Sequence, residues 1–151
     1  MKEDLIFINE SYKDCFEFLE SISDRLIQAG YVKESFKNAI IEREKVFPTG
    51  LPVEPIGVAI PHCDSEHVNN PGIVLVKFKD DVKFNNMDGS GEVNVRIAFV
   101  LLVKEKHKQV AVLQKLMEVI SNQDILMKIY NEENNEKLIN IMKEVGLRWK
   151  K

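Results

Sequence analysis

Residues 93–103, VNVRIAFVLLV, alternate apolar and polar side chains as far as Arg96 and are then apolar without interruption to Val103. Successive side chains on a strand point to opposite faces, so the first half has one buried face and the second half has two. Such a segment is a central strand, with covering layers on both sides of its sheet. It is far shorter than the roughly 18 residues of a membrane span, and so is every other apolar run in the chain. The rest of the sequence has to supply the neighbouring strands and the cover.

Those elements read in order along the chain. Ser11-Tyr12-Lys13-Asp14 has the form of a capping box. Behind it Cys15, Leu19, Ile22 and Leu26 recur at helical spacing, and Gly30 suits a helix C-terminus. A second helix is expected from about Lys33 to Lys45, with Phe36, Ile40 and Ile41 inward. Pro48, Gly50, Pro52 and Pro55 then impose a loop. IGVAI at 56–60, IVLVKFK at 73–79 and a short segment at Val82–Phe84 read as strands, and NNMDGSGE at 85–92 as an exposed loop. After His107 the period changes, and Val110, Leu113, Leu116, Met117 and Ile120 form one helical stripe. A short helix near Asp124–Tyr130 and a last one over about Asn134–Val145, stopping at Gly146, complete the order. Strands in the middle and helices at both ends place the chain in the α/β class, as one sheet with helices packed on its faces. No internal repeat, linker or low-complexity segment interrupts it, so residues 1–151 are expected to form one domain.

Composition narrows the functions. With 151 residues, 44% of them hydrophobic, the chain can bury a core without disulfides or metal. A net charge of −3 argues against nucleic acid as the main partner, because phosphate binding wants a basic surface. The one basic cluster, RWKK at the C-terminus, reads as a solvated tail. Cys15 and Cys63 lie far apart and form no CxxC pair. MKEDLIFINE is too acidic, and its apolar run too short, for a signal peptide. A reduced, cytoplasmic protein is expected. There is no GxxxxGK[ST] loop, GSG at 89–91 lacks the rest of a dinucleotide loop, and no GxSxG occurs, so no cofactor is expected.

The three histidines carry the remaining chemistry. His62 ends the segment GVAIPH, behind a strand and a proline that holds Ile60 extended. A strand end followed by a constrained turn is a rigid mount for a reactive side chain. His107 also follows a strand, the central one, and opens the next helix. Two histidines at the ends of neighbouring strands could converge. Neutral imidazole is a competent nucleophile near neutral pH and can accept a phosphoryl group on one ring nitrogen. Such a transfer needs alignment and charge stabilisation more than it needs a base. His62, Cys63, Asp64, Glu66 and His67 supply metal-ligand types, but their spacing matches neither HExxH nor a CxxC pair, and no metal is assigned. The plain alternative, that each histidine is structural or merely exposed, stays open on spacing alone.

The stretches EREKVFPTGL, GVAIPH and VLLVKEKHKQVAVLQKL together resemble the enzyme IIA domain of the sugar phosphotransferase system, in its mannitol/fructose class. The resemblance runs from the first helix to the last. FPTGLPVEPIGVAIPHCDSEH is most similar to the galactitol-specific branch, which has a cysteine directly after the active histidine. The resemblance implies a single mixed sheet of four to five strands flanked by helices on both faces. It implies a phosphocarrier that accepts a phosphoryl group from phospho-HPr and passes it to a cysteine of the cognate enzyme IIB, while the membrane enzyme IIC imports the sugar. By position in the motif His62 is the phosphorylated residue, and His107 falls where a second histidine assists the phosphoryl group. Arg43 resembles the arginine kept near the site for charge stabilisation, and Thr49 and Gly50 match the loop facing it. His67 is expected to donate to the phosphate or to line the IIB interface. Two partner proteins visiting in turn call for a shallow site with an apolar rim, for which Ile60, Leu51, Val53 and Pro55 are the candidates. Galactitol is the expected sugar alcohol. Two alternatives accompany this reading. One is a regulatory protein of the nitrogen-related branch, switched by histidine phosphorylation; the other is a metal-binding domain built on His62, His67 and Cys63.

Overall fold

A computed structural model describes residues 5–147. The central feature is a long antiparallel pair, β4 (Gly72–Asn85) and β5 (Glu92–Leu102). The edge of β4 carries β1 (Ile6–Glu10) in parallel, and the edge of β5 carries β3 (Gly57–Ala59) in parallel. A two-residue strand β2 (Gly50–Leu51) closes the sheet antiparallel to β3. The order is β1-β4-β5-β3-β2, a single mixed five-stranded sheet. Helices α1 (Cys15–Gln28) and α2 (Ser35–Val46) precede β2, and α3 (Lys106–Ser121), α4 (Gln123–Asn131) and α5 (Asn135–Glu144) follow β5.

The two halves of β5 behave as their sequence requires. Ala98, Val100 and Leu102 point to the face covered by Phe18, Leu19 and Ile22 of α1 and Phe36 and Ile40 of α2. Ile97, Phe99 and Leu101 point to the other face, covered by Leu116, Ile120, Leu126, Leu138 and Met142 of α3, α4 and α5. Val93 and Val95 share the first face with Ala98, so the alternation slips between Val95 and Ile97, where the pairing with β3 also shifts register. The slip is a bulge, which adds one residue to one strand and re-aims the side chains beyond it.

Four details differ from the sequence reading. β1 was not anticipated: IFINE carries no clear period, and its pairing partners on β4 lie some seventy residues away. β2 is too short to leave a pattern. The segments at 73–79 and 82–84 are one strand, because Lys79, Asp80 and Asp81 stay extended and exposed while the ladder slips between Lys77 and Val82. The cap of α1 is Asp14, not Ser11: Asp14 Oδ1 accepts the Glu17 N–H at 2.8 Å, and the Ser11 hydroxyl donates to Asp80 at 3.3 Å instead. Glu17 in turn accepts the N–H of Lys13, the residue before the cap, a variation on the capping box three residues later. The RWKK tail lies outside the described residues.

Lys77 is a charged side chain in the core. It is 5% exposed, and its Nζ donates to the carbonyls of Ile129 at 3.0 Å, Tyr130 at 2.9 Å and Glu132. The last carbonyls of a helix have no partner within it and carry partial negative charge. Lys77 supplies both the hydrogens and the countercharge for the end of α4, although burial lowers the pKa of its ammonium. Lys77→Met fills similar volume and leaves those carbonyls without a donor. It is expected to destabilise the fold by about 2–4 kcal/mol, read as a lower urea midpoint.

Candidate functional site

Past Ala59 the chain runs on beside β5. Leu101 donates its N–H to the Pro61 carbonyl at 3.0 Å, and His62 bridges Leu101 in parallel register. This pairing with the innermost strand makes the half-buried His62 a fixed group. Its ring is held as well, because Nδ1 lies 2.9 Å from the Ile60 carbonyl oxygen. A carbonyl only accepts, so Nδ1 carries the hydrogen and Nε2 keeps its lone pair. Burial, and next the positive charge of Arg43, lower the pKa of the ring; the Ile60 bond and Asp64 act in the opposite sense. The result is a neutral imidazole of defined tautomer at neutral pH.

Arg43 comes from the last turn of α2. Its guanidinium lies over the Phe47 ring, 5.2 Å from the centroid, and Nη1 is 3.7 Å from Asp64 Oδ1. Nε is buried and has no hydrogen-bond partner. A buried N–H of a cation without an acceptor is costly, and the exposed part of the same guanidinium suits an anion that joins the site. Arg43, Thr49 and His62 line one open hollow of about 380 Å³.

The next residue, Glu44, is buried at 3% exposure. Its carboxyl group accepts the Thr49 N–H and the Thr49 hydroxyl, each at 2.7 Å. Burial pushes its pKa up to about 7, against the lowering effect of the two Thr49 bonds. Glu44 therefore ties the loop after α2 to the helix that carries Arg43. Gly50 follows, and its lack of a side chain is used. A Cβ there would lie 2.6 Å from the Asn85 carbonyl oxygen, while the Gly50 carbonyl accepts the Met87 N–H at 2.8 Å. That contact brings the β4–β5 loop to the hollow.

The rim is apolar but not at the expected residues. Val46, Phe47 and Met87 are 67%, 60% and 45% exposed and line the hollow. Of the candidates from sequence, Ile60 is buried in the core, Leu51 and Val53 are half-buried against the α3–α5 face, and Pro55 is exposed but does not line the hollow. The pairing of β2 with β3 turns Leu51 inward, and Ile60, just past β3, is tied back by its N–H to the Thr49 carbonyl. His67 does not line the hollow. It ends a short 3₁₀ turn, Ser65–His67, with Nδ1 2.8 Å from the Ser35 hydroxyl and its carbonyl accepting the Lys33 N–H. It lies in an adjoining hollow that shares Arg43 and Phe47 and ties the start of α2 to the loop after His62. The backbone of His107 is in the first turn of α3; its side chain lies outside the described residues.

Glu44 was missed from sequence, and so were Val46, Phe47 and Met87. The signal for Glu44 was present. Phe36, Ile40 and Glu44 fall at i, i+4 and i+8 on the buried stripe of α2, where a carboxylate needs a reason. Cys63 is buried, with its thiol pushed up to about 12 by burial, and is not a nucleophile in this form. Among the described residues, no group of three or more histidine, cysteine or acidic side chains is placed to hold a metal ion. Nor, among the described residues, is any helix long and apolar enough to cross a membrane.

The sequence of residues 1–145 matches the family described as phosphoenolpyruvate-dependent sugar phosphotransferase system, EIIA 2. The chain belongs to this family. A galactitol-specific EIIA component from Escherichia coli K12 is 31% identical over 116 residues, covering 77% of each chain. The EIIA fold is also that of the crystal structure of mannitol IIA from Escherichia coli, with a TM-score of 0.76 at 18% identity over 94% of this chain and 98% of that one. The complex of Escherichia coli mannitol IIA with phosphorylated IIB gives 0.77 at 17% identity, covering 95% and 97%.

Proposed function

We propose that this EIIA protein is a phosphocarrier whose acceptor atom is Nε2 of His62. The observation that carries the reading is the fixed tautomer: Nδ1 is committed to Ile60, and Nε2 is the free nucleophile at the wall of an open hollow shared with Arg43. Attack on a donor phosphohistidine forms the Nε2–P bond as the donor's N–P bond breaks, with that bond's electron pair staying on the donor nitrogen. His62 keeps its Nδ1 hydrogen, so its ring becomes cationic, and the Ile60 carbonyl stabilises that charge. Arg43 faces the phosphoryl oxygens with the accessible part of its guanidinium. His107 is the second histidine of the site, acting on the same group. Thr49 and Gly50 form the facing wall, and His67 holds the loop behind it. Val46, Phe47 and Met87 give successive protein partners an apolar landing surface.

The donor is phospho-HPr and the acceptor a cysteine of enzyme IIB, with enzyme IIC acting indirectly in the membrane. The complex of mannitol IIA with phosphorylated IIB supports IIB as a partner. The galactitol-specific relative supports a sugar alcohol, galactitol, as the cargo, and a cytoplasmic place follows from these partners. The test is incubation of the purified chain with phosphoenolpyruvate, enzyme I and HPr. Intact mass is expected to rise by one acid-labile phosphoryl group, which a IIB protein then removes. No mass increase would sink the reading.

A further inference from the structure

Glu44 is a buried carboxyl group beside the site that the transfer itself does not use. Its contact with Thr49 has a consequence that depends on where one proton sits. A threonine hydroxyl has a single hydrogen. While Glu44 is ionised it can only accept, and the Thr49 hydrogen is committed to Glu44 Oε1. Thr49 then offers lone pairs, and no hydrogen, to anything anionic in the hollow. Once Oε1 is protonated, its own O–H can donate to Thr49 Oγ1, and the Thr49 hydrogen is free to turn away. The Thr49 N–H keeps Glu44 Oε2 in both states, so the loop does not move.

We propose that Glu44 is a proton-coupled positioning residue: loading of His62 is accompanied by uptake of one proton at Glu44, and the released Thr49 hydroxyl donates to the phosphoryl group. This rests on the reading of His62 as the acceptor. The charges balance. The phosphoryl group is dianionic, the His62 ring gains one positive charge, and the site gains a net negative charge that the proton, taken from water, cancels. Glu44 is poised for the exchange near neutral pH. The groups around it do not hold its charge in place. Cys15 faces it from α1 as a neutral thiol, raised by burial and by Glu44 itself. Arg43 and Lys45 flank it on α2 but turn to Asp64 and Glu42. Across Thr49 lie His62 and, from the β4–β5 loop, Asp88.

Linkage sets the sign. If the loaded form binds the proton more tightly, loading must favour Glu44 protonation by the same factor that protonation favours loading. The side-chain carboxyl ¹³C signal of Glu44, assigned with Glu44→Gln, is followed against pH in the unloaded and loaded chain, with loading by phosphoenolpyruvate, enzyme I and HPr checked by intact mass. The midpoint is expected to rise by about one pH unit on loading, a roughly tenfold coupling. Thr49→Val keeps the charges and removes the hydroxyl, and should give a clearly smaller rise that Thr49→Ser restores. Loading relative to Glu44→Gln should fall up to about tenfold from pH 6 to pH 8. An unchanged midpoint, an equal rise in Thr49→Val, or a flat ratio to Glu44→Gln overturns the proposal while leaving His62 as acceptor. Absence of any uptake overturns the acceptor reading, and this proposal with it.

Discussion

His62→Gln is expected to take up no phosphoryl group from phospho-HPr, a loss of more than about a thousandfold in transfer rate. Glutamine is chosen because its amide can keep a hydrogen bond to the Ile60 carbonyl, where Nδ1 of His62 now sits at 2.9 Å. The backbone pairing of Pro61 and His62 with Leu101 involves no side chain and is unaffected. The variant therefore tests the nucleophile without disturbing the mount, and its melting temperature should stay close to that of the wild type. Intact mass and acid lability report the outcome. If His62→Gln still gains a phosphoryl group, Nε2 of His62 is not the acceptor, and the fixed tautomer has another purpose.

Arg43→Leu is expected to slow phosphoryl transfer by about a hundredfold to a thousandfold, the cost of one preorganised donor facing developing charge. Leucine removes a half-buried guanidinium whose Nε has no partner, so the folded chain loses no hydrogen bond there. It does lose the contact with Phe47 and the exposed pair with Asp64 at 3.7 Å, which is worth little at a surface. Stability should then change far less than activity. Without Arg43, one of the two influences that lower the pKa of His62 is gone, so the acid limb of the rate–pH profile should move upward. Rapid-quench measurement of loading across pH reads both effects. A variant that loads at the wild-type rate would assign Arg43 to the surface alone.

Much of this molecule could be read before its structure. The continuous apolar run in β5, the helical stripes of α1, α4 and α5, and the proline-rich break before β2 are local patterns that trace the buried face, whereas the stripe read on α3 holds only in part: Leu116 and Ile120 are buried, but Val110 and Met117 are exposed. His62 was legible for a similar reason, since a strand, a proline and a histidine in succession make a rigid mount whatever lies beside it. β1 and β2 were not legible, because an edge strand of a few residues is stabilised by a ladder with distant chain rather than by its own period. The rim was misassigned because the direction of Ile60, Leu51 and Val53 depends on pairing register, and a single residue of slip exchanges core for surface.

By itself the sequence determined the α/β class, the central strand, the family and the identity of the candidate nucleophile, because these follow from periodicity, spacing and motif, which are properties of neighbouring residues. Only the tertiary structure decided that Nδ1 rather than Nε2 of His62 is occupied, that an Arg43 N–H is buried without a partner, and that Glu44 holds Thr49. Each of these is a contact between groups brought together by folding, and its chemistry depends on distances and burial that no local pattern encodes.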